Sequence, residues 1–244
     1  MKFLLTNDDG IDAPGLAALH RAIEGWGQAV VVAPDRHVSG CGHQITTLRP
    51  LELKQAANDW YALDGSPVDC ARVGISHVAP GAAWMLAGVN EGGNLGADIY
   101  PSGTVAAARE ACLLGLRAIA ISQYVRSRPI DWEQTGRWAR HALSLLLERP
   151  PAPGSFWNVN LPQPAEPTAT APECVFCAID PHPLPVKYEL RDGKLHYRAR
   201  YHDRQRAEGR DIEICFSGKI SISRIDLHVA GPGLDSSAAA PPTG

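Results

Sequence analysis

The sequence predicts an α/β fold with a mostly parallel sheet, on three observations. Strand-length apolar runs alternate with helical periodicities through the first two thirds of the chain, which implies right-handed crossovers. Polar, Gly-rich clusters follow several of those runs, where a parallel sheet places its ligands. The 244 residues suffice for one large domain of this kind.

Residues 2–6 read as a buried strand entered at once from the terminus. Over 13–26, Leu16, Leu19, Ala22 and Ile23 recur at helical spacing, and Gly25 and Gly27 mark the stop. Residues 29–33 form a β-branched run ended by Pro34, and a polar stretch covers 35–44. Residues 45–53 and 60–63 are expected to pair antiparallel around an Ala-Ala-Asn-Asp turn. Ser66 caps, and Pro67 opens, a helix reaching about residue 75. A strand at 84–89, a helix at 104–116, a strand at 117–122, an amphipathic helix at 132–148 and a strand at 157–161 follow.

The composition changes after Pro162. Residues 163–173 are rich in Pro, Ala and Thr and read as a connector. Residues 186–190 and 195–201 predict a hairpin, because the Asp-Gly between Arg191 and Lys194 suits a type I′ turn. Residues 219–225 are a last strand candidate. The expected organisation is a single domain over 1–229, with its core in 1–162 and a C-terminal arm and final strand over 163–229. The small, polar tail at 230–244 is expected to be disordered.

A net charge of −3 gives no electrostatic basis for holding a nucleic-acid polymer or an anionic membrane. No apolar run approaches the roughly 20 residues of a membrane span, and the start lacks a signal-peptide core. The cytoplasm is therefore the expected compartment, and its six cysteines form no disulfide framework. Cys174 and Cys177 have metal-like spacing but no second pair behind them, and read as two thiols on one short strand.

Three polar clusters fall at strand ends: Asn7-Asp8-Asp9-Gly10, Ser39-Gly40, and the run from Asn90 to Asn94. Adjacent carboxylates repel unless a cation or solvent screens them, and a hard divalent ion with oxygen ligands removes that penalty. An Asx turn is the plain alternative for Asp-Asp-Gly. Ser39 and Asn90, as neutral oxygen ligands at neighbouring strand ends, favour a metal. A fourth cluster, Ser102-Gly103-Thr104, opens a helix and offers free N–H groups, two hydroxyls and the positive end of the dipole to a phosphate, or forms a bare cap. Metal and anion seat on one rim imply phosphoryl chemistry. His43, in the loop after Ser39, is a candidate proton donor or phosphate contact, and His37 a weaker one. Residues 187–210 carry eight Lys or Arg against four Asp or Glu, and could either reach over an anionic substrate or form a solvated hairpin.

Dinucleotide, P-loop and serine-hydrolase signatures fail on detail. Gly40-Cys-Gly42 lacks a third glycine, Gly218-Lys219 is followed by Ile220, and no Gly-x-Ser-x-Gly elbow occurs.

Together the clusters resemble the stationary-phase survival protein SurE family of 5′/3′-nucleotidases. The resemblance rests on Thr-Asn-Asp-Asp-Gly at 6–10, Ala-Pro-Gly at 13–15, Val-Ala-Pro-Asp-Arg at 32–36, Ser39-Gly40 and Gly65-Ser-Pro-Val-Asp-Cys70. Gly88-Val-Asn90, Gly93-Asn-Leu-Gly96 and Ser102-Gly-Thr-Val-Ala-Ala-Ala108 continue it, so that order and spacing agree over roughly residues 1–125. It implies a Rossmann-like three-layer sandwich and hydrolysis of nucleoside monophosphates with one divalent cation per subunit, Mg²⁺ or Mn²⁺. By resemblance the metal ligands are Asp8, Asp9, Ser39 and Asn90, and the phosphate contacts are Asn94, Ser102, Gly103 and Thr104. It also implies a homodimer or homotetramer that exchanges C-terminal elements, with the connector at 163–173 and the hairpin at 186–201 as the arm.

Three positions depart from the family's pattern: His43 stands where many relatives have Asn, Asp98-Ile-Tyr-Pro-Ser102 separates Tyr from Ser-Gly-Thr, and Arg109-Glu110-Ala111 replaces Met-Glu-Gly. The expected route is direct attack by a metal-activated water, with Asp8 doubling as a base and His43 protonating the leaving alkoxide. The alternatives are a catalytically silent nucleotide- or phosphate-binding module, and a phosphatase for another phosphoester such as polyphosphate.

Overall fold

In the computed structural model, which describes residues 1–164 and 170–227, the chain forms one nine-stranded sheet and a separate two-stranded hairpin among those residues. The first strand, β1 (Lys2–Thr6), sits inside the sheet. It pairs in parallel with β2 (Gln28–Pro34) on one side and β5 (Trp84–Glu91) on the other. The chain runs outward from β1 in one direction through β2 and later in the other through β5. The carboxyl end of β1 is thus a point where the strand order reverses, and a crevice opens there.

Alternate residues of β1 serve opposite faces, as strand geometry requires. Phe3 and Leu5 join a core formed with α1 (Pro14–Ala22) and α4 (Trp132–Leu147), whereas Leu4 joins a second core with α2 (Pro67–Val73) and α3 (Gly103–Leu113). Two helical layers therefore cover both faces, and burial on both sides explains why these strands read as continuous apolar runs. Helix α3 is fully buried at Ala106, Ala107 and Ala108, whose small side chains allow its backbone close to the sheet.

The sheet order is β3-β4-β2-β1-β5-β6-β7-β11-β8. Here β6 (Arg117–Gln123) and β7 (Ser155–Leu161) continue the parallel run from β5, and β11 (Ile220–Asp226) adds antiparallel to β7.

Some boundaries differ from expectation. The strand expected over 45–53 is instead β3 (Leu53–Ala57), antiparallel to β4 (Trp60–Leu63). Pro50 supplies no N–H, and the stretch before it is tied to a side chain instead: Arg49 Nη1 and the Glu52 N–H donate to the Asp64 carboxylate, each at 2.6 Å. The helix from Pro67 ends at Val73 and continues as a π-helical turn, Gly74–Val78. The short strand expected to carry Cys174 and Cys177 is β8 (Cys174–Phe176), parallel to β11, whereas the short helix α5 (Asp211–Phe216) was not anticipated. The hairpin of β9 (Tyr188–Arg191) and β10 (Lys194–Tyr197) has Asp192 and Gly193 at φ 49° and 71°, the two positive values that a type I′ turn requires. The tail expected at 230–244 lies outside the described residues. Among the described residues no helix is long and apolar enough to cross a membrane.

Candidate active site

The turn after β1 is closed by Asn7 rather than by Asp8 or Asp9: Nδ2 donates to the Gly10 carbonyl at 2.8 Å, and the Gly10 N–H donates back to Oδ1 at 3.3 Å. Gly10 adopts φ 104°, a conformation that favours glycine. With Asn7 forming the turn, neither Asp8 nor Asp9 is needed for it.

Asp8 is buried, at 3% exposure, and its Oδ1 accepts the Thr104 hydroxyl from the first turn of α3. Burial, reinforced by the neighbouring Asp9 charge and opposed by the Thr104 hydrogen bond, pushes its carboxyl above the usual range. Asp9 is held by three groups. Its Oδ2 accepts the Glu91 N–H at 3.0 Å, and its Oδ1 lies 3.4 Å from the Ser39 hydroxyl and 3.3 Å from His37 Nδ1. Asn90, next to last in β5, donates through Nδ2 to the Gly92 carbonyl at 2.7 Å, which leaves its amide oxygen as the available ligand atom.

Asn94 lies in a buried polar knot at the carboxyl ends of β6 and β7. Its Nδ2 donates to the Ser122 hydroxyl at 2.7 Å, its N–H to Asn160 Oδ1 at 2.7 Å, and its carbonyl accepts from Asn158 and Asn160. Such a network fixes the side chain in one orientation. Ser102 caps α3 by accepting the Val105 N–H at 3.0 Å. Gly103 follows, and a Cβ there would meet Asp8 Oδ2 at 2.9 Å and Cys41 Sγ at 3.0 Å, so only glycine lets the helix start approach this closely.

A cavity of about 250 Å³ joins these parts; Asp8, Ser39, Asn90, Asn94 and Ser102 line it. Asp9 faces an adjoining cavity that shares Ser39 and Glu91 with the first. Two carboxylates, a hydroxyl and an amide oxygen form an all-oxygen donor set suited to a hard divalent cation, and a cation would relieve the raised Asp8. The residues present thus fit Mg²⁺ or Mn²⁺.

His43 is not brought to this cavity. Its Nε2 lies 2.9 Å from the buried Glu110 carboxylate and its Nδ1 3.5 Å from Arg109 Nη1, while Arg72 Nε approaches the other Glu110 oxygen at 3.1 Å. Both ring nitrogens are engaged on the flank of α3, away from the residues that line this cavity. Two of the three departures from the family pattern, His43 and Arg109, therefore meet each other directly, with Glu110 on the other ring nitrogen of His43.

The C-terminal arm supplies residues that the sequence did not reveal as part of the site. Tyr201 lines the cavity, donating to the Gly93 carbonyl at 3.2 Å and to Asp98 Oδ2 at 3.0 Å. Arg204 pairs with the same Asp98 oxygen at 2.5 Å. The basic content of 187–210 was the one available signal. Cys174 and Cys177 carry free thiols, as all six cysteines do, and the described residues contain no group of three or more His, Cys, Asp or Glu placed for a metal.

Residues 3–179 match the family described as survival protein SurE. A protein of Nostoc sp. (strain PCC 7120) is 46% identical over 226 residues, 92% of this chain and 99% of its own length. The 5′-nucleotidase SurE of Myxococcus xanthus is 44% identical over 168 residues, 68% of this chain and 64% of its own. Among solved structures, the SurE protein from Aquifex aeolicus superposes with a TM-score of 0.82 at 32% identity, covering 95% of each chain.

Proposed function

This chain belongs to the survival protein SurE family, and from that premise we propose that it is a cytoplasmic 5′-nucleotidase, a metal-dependent phosphomonoesterase acting on nucleoside monophosphates. One observation carries the reading: Asp8, Ser39 and Asn90 share a single cavity with Asn94 and the Ser102 cap of α3. Oxygen ligands for a cation and donors for a phosphate thus meet at one point.

Asp8, Asp9, Ser39 and Asn90 would hold the cation. When bound, it would neutralise phosphate charge and lower the pKa of a water molecule, the attacking group in a direct displacement. The remaining work falls to the chain. Thr104 fixes the rotation of Asp8 by donating to Oδ1, which leaves Oδ2 for the cavity. The second N–H of Asn94 Nδ2, the Ser102 hydroxyl and the Gly103 N–H at the start of α3 would bind phosphoryl oxygens. The α3 dipole favours the negative charge that gathers there. These donors are set by the Asn94–Asn158–Asn160 network and by the Ser102 cap before substrate arrives, which is where electrostatic catalysis gains most.

The family likeness also supports a homodimer or homotetramer joined through the C-terminal arm. On the β9–β10 hairpin Val186, Tyr188, Leu190, Leu195 and Tyr197 are all exposed, an apolar patch of the sort that marks an interface.

The test is phosphate release from nucleoside monophosphates and p-nitrophenyl phosphate, with Mg²⁺, with Mn²⁺ and with chelator, beside Asp8→Asn. Metal-dependent release abolished by the substitution is expected. Cleavage of the nitrophenyl ester alone would point to another phosphoester, and silence from folded, metal-loaded protein would point to a binding module.

A further inference from the structure

The larger cavity beside Asp9, about 430 Å³, has no part in holding the phosphate as described above. It is lined by Asp9, His37, Ser39, Glu91, Arg128 and Trp132, and its size lies within the roughly 300–1,000 Å³ of small-molecule sites. Ser39 and Glu91 belong to both cavities, so a molecule whose phosphate sits in the first can extend into the second without leaving the protein surface.

Its walls have a specific chemistry. Trp132 is the first residue of α4, and Asp131 caps that helix by accepting the Gln134 N–H at 2.8 Å. The indole edge rests on Gly15: a Cβ there would stand 3.0 Å from Trp132 Cζ3 and 3.1 Å from Cη2. Gly15 therefore lets the indole edge come this close, at a position where a Cβ would already stand 2.0 Å from the Val89 carbonyl. Glu91 is tied to the proposed cation ligands by its backbone, whose N–H donates to Asp9, while its side chain pairs with Arg128. Arg128 is mostly exposed. An aromatic ring, a carboxylate and an exposed cation lining one cavity suit a flat heterocycle on a polyhydroxylated ring.

Building on the phosphomonoesterase reading, we infer that this second cavity is the leaving-group subsite and takes a purine nucleoside, with the base against Trp132 and the ribose hydroxyls donating to Glu91. It makes the enzyme selective for nucleotides over small phosphoesters. Stacking is available to any base, but the larger purine face gains more from it.

The experiment compares kcat/KM for adenosine 5′-monophosphate, cytidine 5′-monophosphate and glycerol phosphate in the full chain. Variants are Trp132→Leu, Trp132→Phe and Glu91→Gln. Equilibrium dialysis of adenosine, which carries no phosphate, runs in parallel. Trp132→Leu is expected to lower the adenylate-to-glycerol phosphate ratio roughly 10-fold and weaken adenosine binding to match, with Trp132→Phe recovering most of both. Glu91→Gln should lower the same ratio while glycerol phosphate changes far less. A variant that is merely misfolded would lose both substrates equally and leave the ratio in place. An unchanged ratio, or adenosine binding indifferent to Trp132, overturns the subsite. If wild-type protein releases no phosphate from any ester, the hydrolase reading fails. Dialysis then decides the subsite alone: saturable adenosine binding lost in Trp132→Leu supports it, and no binding overturns it.

Discussion

The Thr104 hydroxyl donates its hydrogen bond to Asp8 Oδ1, joining the start of α3 to the end of β1 across 96 residues of chain. It links the proposed phosphate seat to the proposed cation site, so that a rotation of Asp8 would disturb a contact of the first turn of α3. It also opposes the rise in the Asp8 pKa that burial imposes.

Thr104→Val keeps the side-chain shape and removes the donor. We expect kcat to fall about 10- to 100-fold, because a hydrogen bond to a charged group is worth roughly 1.5–3 kcal/mol and here orients a ligand. Thr104→Ser should retain most activity. Equal kcat for wild type and Thr104→Val under saturating metal would show that the bond does not orient Asp8 during turnover.

A raised Asp8 pKa has a sign for stability. The folded state holds that proton more tightly than the unfolded chain does. In metal-free protein, stability should therefore decline as pH rises from the ordinary carboxylate range through the raised Asp8 value. Asp8→Asn removes both the buried charge and its repulsion with Asp9, so it should raise the metal-free Tm at neutral pH and flatten this decline. It should also abolish stabilisation by Mg²⁺, which for wild type at 100 times Kd is about 2.7 kcal/mol, or roughly 5–10 °C. Differential scanning calorimetry between pH 4 and 8, with and without Mg²⁺, reads all three effects. An Asp8→Asn protein still stabilised by Mg²⁺ would remove Asp8 from the ligand set.

The sheet and both helical layers were legible because continuous apolar strand runs and period-3.6 helices are local signals, the first shown by β1, β2, β5 and β6 and the second by α1 and α4. The candidate ligands drew notice because polar clusters follow three strands and a fourth opens α3. What stayed hidden depends on long-range contact. Nothing near Tyr201 announces that it returns to Gly93, 108 residues earlier, nor does His43 announce Glu110, 67 residues on. Strand β3 was misplaced because its start depends on Asp64 receiving Arg49 and Glu52, a tertiary contact that propensity does not encode. Gly15 read only as part of a motif, whereas its physical reason is a Val89 carbonyl only 2.0 Å from where a Cβ would sit.

Asp98 holds the arm against the cavity, receiving both Tyr201 and Arg204, and the Arg204 side chain is 1% exposed. Burial pushes the Tyr201 phenol well up, so it remains a donor at any working pH. Arg204→Met preserves packing but strips the carboxylate of its cation, and should destabilise by roughly 3 kcal/mol. Pairing it with Asp98→Asn should restore part of that loss, which chemical denaturation of the double variant would measure. Tyr201→Phe should lose about 1 kcal/mol and a several-fold share of kcat/KM. Full stability in Arg204→Met would mean that the arm does not depend on this pair.

The hairpin gives the last prediction. Leu190 and Leu195 face each other across the β9–β10 ladder and are 67% and 68% exposed, with Tyr188 and Tyr197 paired two residues along. An isolated two-stranded hairpin is marginal in water, because it buries too little apolar surface to offset the ordering of its backbone. Among the described residues these two strands pair only with each other, which leaves their apolar side chains open to a partner. A second copy would cover them by symmetry, each hairpin lying against its partner's. Leu190→Asp with Leu195→Asp places like charges on both sides of that contact. Sedimentation velocity should then show the assembly fall toward monomer. The nine-stranded sheet, with which the hairpin does not pair, should keep its melting transition. A monomeric wild type, or a double variant with undiminished mass, would mean that the hairpin is not the interface.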